Sequence, residues 1–157
     1  MKTSVHRLSV KSVALASIVL ICLLSFGVLA GCGGLSDAKN LKAYTFGQDS
    51  CPSINSIVGE RDVTNVETGF DNDVDYQIYT YTSDSPFDDV LAYEEALEAD
   101  GWILNEDWEM QPSSGLVVML KESTEKPDSL LGVYLEYNTS EYTLDIRRGP
   151  GSLTIDQ

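Results

Sequence analysis

In the stretch SDSPFDDVLAYEEALEADGW, residues 83–102, a serine, a proline and an acidic pair lead into an apolar stripe that a glycine then ends. Ser85 suits the N-cap and Pro86 the first helical position, while Ser85 to Asp88 has the spacing of a capping box. Asp88 and Asp89 also complement the helix dipole. Phe87, Val90, Leu91, Ala96 and Leu97 fall on one stripe, with Asp89, Glu94, Glu95 and Glu98 largely elsewhere, so the pattern predicts a helix over 86–100.

Strand-like runs flank that helix. YQIYTYT (Tyr76 to Thr82) is rich in β-branched and aromatic residues, and DVTNVET (Asp62 to Thr68) is a weaker run before it. After the helix come WILNEDW, GLVVMLKES, SLLGVYLEYN and EYTLDIRR, separated by Pro112 to Gly115, Lys126 to Asp128 and Asn138 to Ser140, which carry turn chemistry. Leu131, Val133, Leu135 and Tyr137 alternate with Gly132, Tyr134 and Glu136; Tyr142, Leu144 and Ile146 alternate with Thr143, Asp145 and Arg147. One apolar and one mixed face fit an antiparallel sheet covered on one side. The fold expected is α+β: one main helix on an antiparallel sheet, in the order strand or strands, helix, four-strand meander.

The amino-terminal third obeys different rules. Ser12 to Ala30 is an uncharged apolar run behind Lys2, Arg7 and Lys11, as an export signal requires. It ends in Leu29-Ala30-Gly31-Cys32, which resembles the lipobox of bacterial lipoprotein signal peptides. That resemblance implies alkylation of the Cys32 thiol with diacylglycerol and cleavage before it. Small Ala30 and Gly31 would fit a narrow protease cleft, and a thiol is the nucleophile the alkylation needs. An uncleaved anchor helix is the alternative, since the run is nearly long enough to span a bilayer; the basic flank and terminal Gly-Cys favour cleavage. Two acyl chains, at about 0.8 kcal/mol per buried methylene, give stable anchoring. The expected organisation is a signal peptide over 1–31, a lipidated cysteine and flexible tether over 32–50, and a small α+β domain over 51–157. The location implied is the extracytoplasmic face of a cell membrane, with membrane lipid as the partner of Cys32.

The order of elements is also similar to that of many small bacterial lipoproteins of uncharacterised function. More distantly, it resembles one helix-plus-meander unit of the β-lactamase-inhibitor proteins. That likeness is architectural and transfers no inhibitory residue.

Cleavage would remove three of the ten basic residues, Lys2, Arg7 and Lys11, and none of the 25 acidic ones, taking the formal net charge from −15 to −18. Such a charge disfavours nucleic acid, whose phosphates need clustered Lys and Arg, and disfavours lying flat on anionic lipid. It favours solubility or a basic partner. The single histidine, His6, would leave with the signal. Without it no Ser-His-Asp or Cys-His nucleophile and no His-based metal centre can be assembled. Cys22 would leave too and Cys32 would carry lipid, so Cys51 has no intramolecular partner and reads as a structural thiol.

Few sites remain. Asp71, Asp73 and Asp75 place oxygens at positions 1, 3 and 5 of a calcium loop, but Tyr76 and Thr82 stand where an EF-hand needs Gly and Glu. Glu94, Glu95 and Glu98 lie on the solvated side of the helix, unsuited to acid–base work. Tyr79 and Tyr81 share one strand parity, and Tyr134 lies opposite the apolar parity of its own strand; tyrosines of this kind are enriched in binding patches. The sequence therefore predicts a non-enzymatic interaction module with no cofactor, contacting an envelope protein or polymer through Tyr79, Tyr81 and Tyr134. Calcium capture by Asp71, Asp73 and Asp75 is the alternative.

Overall fold

The computed structural model describes residues 34–153. Their elements run α1 (Gly34–Lys39), β1 (Ala43–Phe46), β2 (Asp49–Pro52), α2 (Ile54–Val58), β3 (Asp62–Asp71), β4 (Val74–Thr82), α3 (Pro86–Ala99), β5 (Ile103–Gln111), β6 (Ser114–Glu122), β7 (Ser129–Tyr137) and β8 (Glu141–Pro150). β1 and β2 pair as a hairpin, and the other six strands form an antiparallel sheet in the order β3-β4-β8-β7-β6-β5. The protein is α+β with the sheet dominant. β5 to β8 follow one another across the sheet, so α3 carries the chain from β4 to the far edge and β8 returns to β4.

Local chemistry explains the turns. Asn72 and Asp73 join β3 to β4 with φ of 49° and 66°, and Asp71 pairs with Val74. Two central residues at positive φ match the twist of a two-residue hairpin. In α3, Val90, Tyr93 and Leu97 are buried while Leu91 is 41% exposed. Tyr93 lies three residues after Val90 and four before Leu97, so it holds the core line and turns Leu91 out. The capping box does not form: the Ser85 side chain makes no cap hydrogen bond. Asp89 is buried in the first turn instead, accepting from Ser83 Oγ at 2.6 Å and from Arg61 Nε and Nη2 at 2.7 Å each.

The expected tether is corrected. Residues 34–50, placed in a flexible segment by the sequence, contribute α1, β1 and the start of β2, and Ala38, Tyr44 and Phe46 are buried. Gly47, at φ 65°, makes the β1–β2 turn. Strands of four residues are too short to show a period, and the turn lacks a strong two-residue signature.

The core lies on one face of the large sheet. Tyr79 and Tyr81 of β4, Tyr142, Leu144 and Ile146 of β8, Val133 and Leu135 of β7, and Val117 and Met119 of β6 point to it. α3 covers its β5–β7 half with Val90, Tyr93 and Leu97, and the β1–β2 hairpin with α2 covers the β4–β8 half. Three core tyrosines pair their hydroxyls locally, whereas the buried Tyr142 Oη finds no hydrogen-bond partner among the described residues: Tyr44 and Tyr81 share a 2.7 Å hydrogen bond, the Ile54 amide donates to Tyr44 Oη, and Tyr93 Oη donates to the Pro52 carbonyl at 2.8 Å.

Candidate interaction face

The opposite face of the same sheet carries no helix or hairpin among the described residues. Strand register lays its side chains out in rows. Ile78, Asp145, Tyr134 and Val118 stand side by side across β4, β8, β7 and β6, and the next row is Tyr76, Arg147, Gly132 and Leu120. Thr80, Thr143, Glu136 and Leu116 follow on the other side. Val118 and Leu120 are nearly covered by their neighbours, and Tyr76, Ile78, Leu116 and Tyr134 are half-buried. An antiparallel sheet that leaves one face to water normally makes it polar. Here β8 supplies Thr143, Asp145 and Arg147, but aliphatic and aromatic side chains stand on both sides of them.

Glycine sets the posture of the two tyrosines. A Cβ added at Gly69 would lie 2.5 Å from Tyr76 Oη, and one added at Gly132 would lie 3.0 Å from Cε2 of Tyr134. Each ring therefore leans over bare backbone, and a Cβ would push Tyr76 aside at 69 and press on Tyr134 at 132. Tyr76 Oη donates to Glu67 Oε1 at 3.2 Å. The Arg147 guanidinium sits 5.8 Å from the Tyr134 ring centroid and donates to Asp145 through Nε at 3.0 Å and Nη2 at 2.6 Å. Tyrosine, arginine and aliphatic side chains, with Glu67, Glu122 and Glu136 exposed around them, are the residue types enriched in protein-binding patches.

The predicted tyrosine triad is not one patch. Tyr79 is 5% exposed and Tyr81 fully buried, both stacked in the core, while Tyr134 alone lies on the open face. The assignment of β4 parity was inverted because the hairpin that covers Tyr79 and Tyr81 lies in the segment expected to be a tether. Tyr76 and Ile78, at the other parity of β4, were the residues missed. Their alternation with Tyr79 and Tyr81 is visible in the sequence, but which parity is covered is not.

The acidic loop does not assemble a cation site. Among the described residues no three His, Cys, Asp or Glu side chains converge on one point. Asp71 accepts from Asn72 Nδ2 at 2.9 Å, whereas Asp75 turns away to Arg148 Nη2 at 2.8 Å and to Lys126. Asp73 occupies the hairpin turn itself, so the three carboxylates of the expected loop do not converge.

Cys51 is fully buried against Tyr93 Oη at 3.0 Å, and burial raises its thiol pKa to about 12 although the Tyr93 hydrogen bond opposes the rise. A thiol held protonated in this way is inert at neutral pH. Cys32 lies outside the described residues. Comparison with protein-family models, with curated proteins and with solved structures found no match to this chain.

Proposed function

We propose that this chain is a lipid-anchored, extracytoplasmic interaction module without enzymatic activity, held at the membrane through diacylglycerol on Cys32 and docking an envelope protein or polymer on its open sheet face. The observation that carries the reading is a face with no helix or hairpin over it among the described residues, on which half-buried Tyr76, Ile78 and Tyr134 flank the Asp145–Arg147 pair. Accessible tyrosine and arginine beside aliphatic side chains are the residue types enriched in interaction patches. The acidic surround and the domain's net negative charge select a partner whose own apolar contact is ringed by cationic groups, which makes association salt-sensitive.

The test has two arms. Intact-mass analysis of the membrane fraction should show a protein that begins at Cys32 and carries acyl mass, with Cys32→Ser unlipidated; the first 31 residues retained without lipid would overturn the anchor. In native membranes, photo-crosslinking from position 78 should yield a discrete adduct that disappears in the Tyr76→Ala/Tyr134→Ala double variant at an unchanged thermal midpoint. An adduct that survives the double variant would remove the open face as the docking surface.

A further inference from the structure

We infer that the domain stands on the bilayer by its β3 edge, with α1 and Phe70 of β3 against the lipid headgroups and the open sheet face turned sideways along the membrane. The inference rests on the proposed lipidation of Cys32 and adds an orientation to it. Only Gly33 separates Cys32 from Gly34, where α1 begins. Two residues span at most about 7 Å even fully extended. That leash is shorter than the Debye length of about 8 Å at physiological salt. An acidic domain so tethered cannot retreat from the surface and instead adopts the orientation that its anchor dictates.

The anchor point selects the edge. α1 packs along β3, with Ala38 buried and Lys39 Nζ bonded to Asp62 Oδ1 at 2.9 Å. β3 is the terminal strand of the sheet and β5 the opposite one, five strand spacings or about 24 Å away. A second observation points to the same edge independently. Four large hydrophobic side chains are exposed among the described residues, and three of them, Leu35 at 49%, Ile57 at 40% and Phe70 at 63%, lie on α1, α2 and β3. α2 is tied to α1 by Asn55 Nδ2 donating to the Lys39 carbonyl. Phe70 is the most exposed of the four and sits beside the β3–β4 turn. A phenylalanine ring exposed in water gains by burying its apolar area at the headgroup–acyl boundary. With β3 lying along the surface the sheet rises edge-on, and its open face meets partners held in or near the same membrane.

The experiment uses the full chain, processed and acylated in a bacterial host and reconstituted into phosphatidylcholine vesicles containing doxyl-labelled lipid. An environment-sensitive fluorophore is placed on Phe70→Cys or on Ser113→Cys in the β5–β6 turn; buried Cys51 does not compete for the label. Quenching should be at least about threefold stronger at 70 than at 113, given the width of the sheet between them. Inserting a flexible Gly-Ser segment of about twenty residues after Gly33 should abolish the difference. Equal quenching at the two positions in protein whose mass shows acylated Cys32 would overturn the orientation while leaving the anchor intact. Absence of acyl mass would overturn the anchor and the orientation together.

Discussion

Asp49 and Arg148 meet inside the protein, Nη1 to Oδ2 at 3.4 Å, although 99 residues separate them in the chain. Both are almost fully buried. Asp49 also accepts from Ser123 Oγ, from the Thr124 amide and Oγ1 at 2.8 Å each, and from the Glu125 amide. Arg148 donates onward to the Phe46 carbonyl, to Asp75 and to Glu125, and stacks over the Phe46 ring. One ion pair thus joins the β1–β2 turn, the β6–β7 loop, the start of β4 and the end of β8. It fixes the hairpin whose presence decides that Tyr79 and Tyr81 are core and Tyr134 is not.

The clasp makes stability depend on acid. Burial alone would raise the Asp49 carboxyl pKa, but the hydrogen bonds from Ser123, Thr124 and Arg148 outweigh it and hold the value at about 2, below the ordinary 3.8. A carboxyl depressed on folding contributes stability that is present above its unfolded pKa and is lost as pH falls through the folded one. The contribution is about 2 kcal/mol. The Tm should lose this term between about pH 4 and pH 2, and Asp49→Asn should flatten that part of the profile when the two are compared by calorimetry.

Substitutions within the clasp should differ sharply in size. Arg148→Ala leaves Asp49 buried and without its cation, the situation in which removing one partner of a buried pair costs about 3–5 kcal/mol. Glu125→Gln touches the same guanidinium from a more accessible position and should cost no more than about 1 kcal/mol. Urea denaturation of the two variants checks the ranking, and similar midpoints would show that Arg148 is not the centre of the network.

Long, strongly patterned elements were legible in the sequence. The predicted helix over 86–100 matches α3 at Pro86–Ala99, and each predicted strand after it overlaps an observed one. Short elements were not, because a four-residue strand contains too little pattern to separate from a polar segment. That loss propagated to the site. Alternation along β4 shows that Tyr76 and Ile78 face one way and Tyr79 and Tyr81 the other, but the burying side is set by the β1–β2 hairpin, about thirty residues earlier in the chain. The side on which Tyr134 stands is legible because β7 has one plainly apolar parity, which α3 covers. Likewise Asp75 looked equivalent to Asp71 and Asp73 in sequence, and only the pairing of β4 with β8 brings Arg148 opposite it.

Burial of Cys51 should be visible chemically. Its thiol is raised to about 12 and has no access to solvent, so native protein should react with an aromatic disulfide reagent only as fast as it opens. The measured rate should rise with urea in parallel with unfolding. Fast, stoichiometric reaction at neutral pH in native buffer would contradict the packing of β2 against Tyr93.

The β3–β4 turn offers a gain of stability and a test of the loop's chemistry at once. Asp73 holds φ at 66° and Asn72 at 49°, a left-handed geometry that costs a residue with a Cβ about 1–2 kcal/mol and glycine nearly nothing. Asn-Gly is also the pair that a two-residue turn of this hand prefers. Asp73→Gly should therefore stabilise the protein, by about 0.5–1 kcal/mol once the greater freedom of glycine in the unfolded chain is subtracted. Were Asp73 a calcium ligand, the same change would remove a carboxylate and abolish a calcium-induced rise in Tm. With Asp75 committed to Arg148 and Lys126, no such rise is expected in the parent protein. Thermal melts of parent and variant with and without millimolar calcium separate the two accounts: a higher midpoint for Asp73→Gly, insensitive to calcium, follows from the turn geometry. A calcium-dependent midpoint in the parent that the variant loses would restore the metal-binding role of the loop.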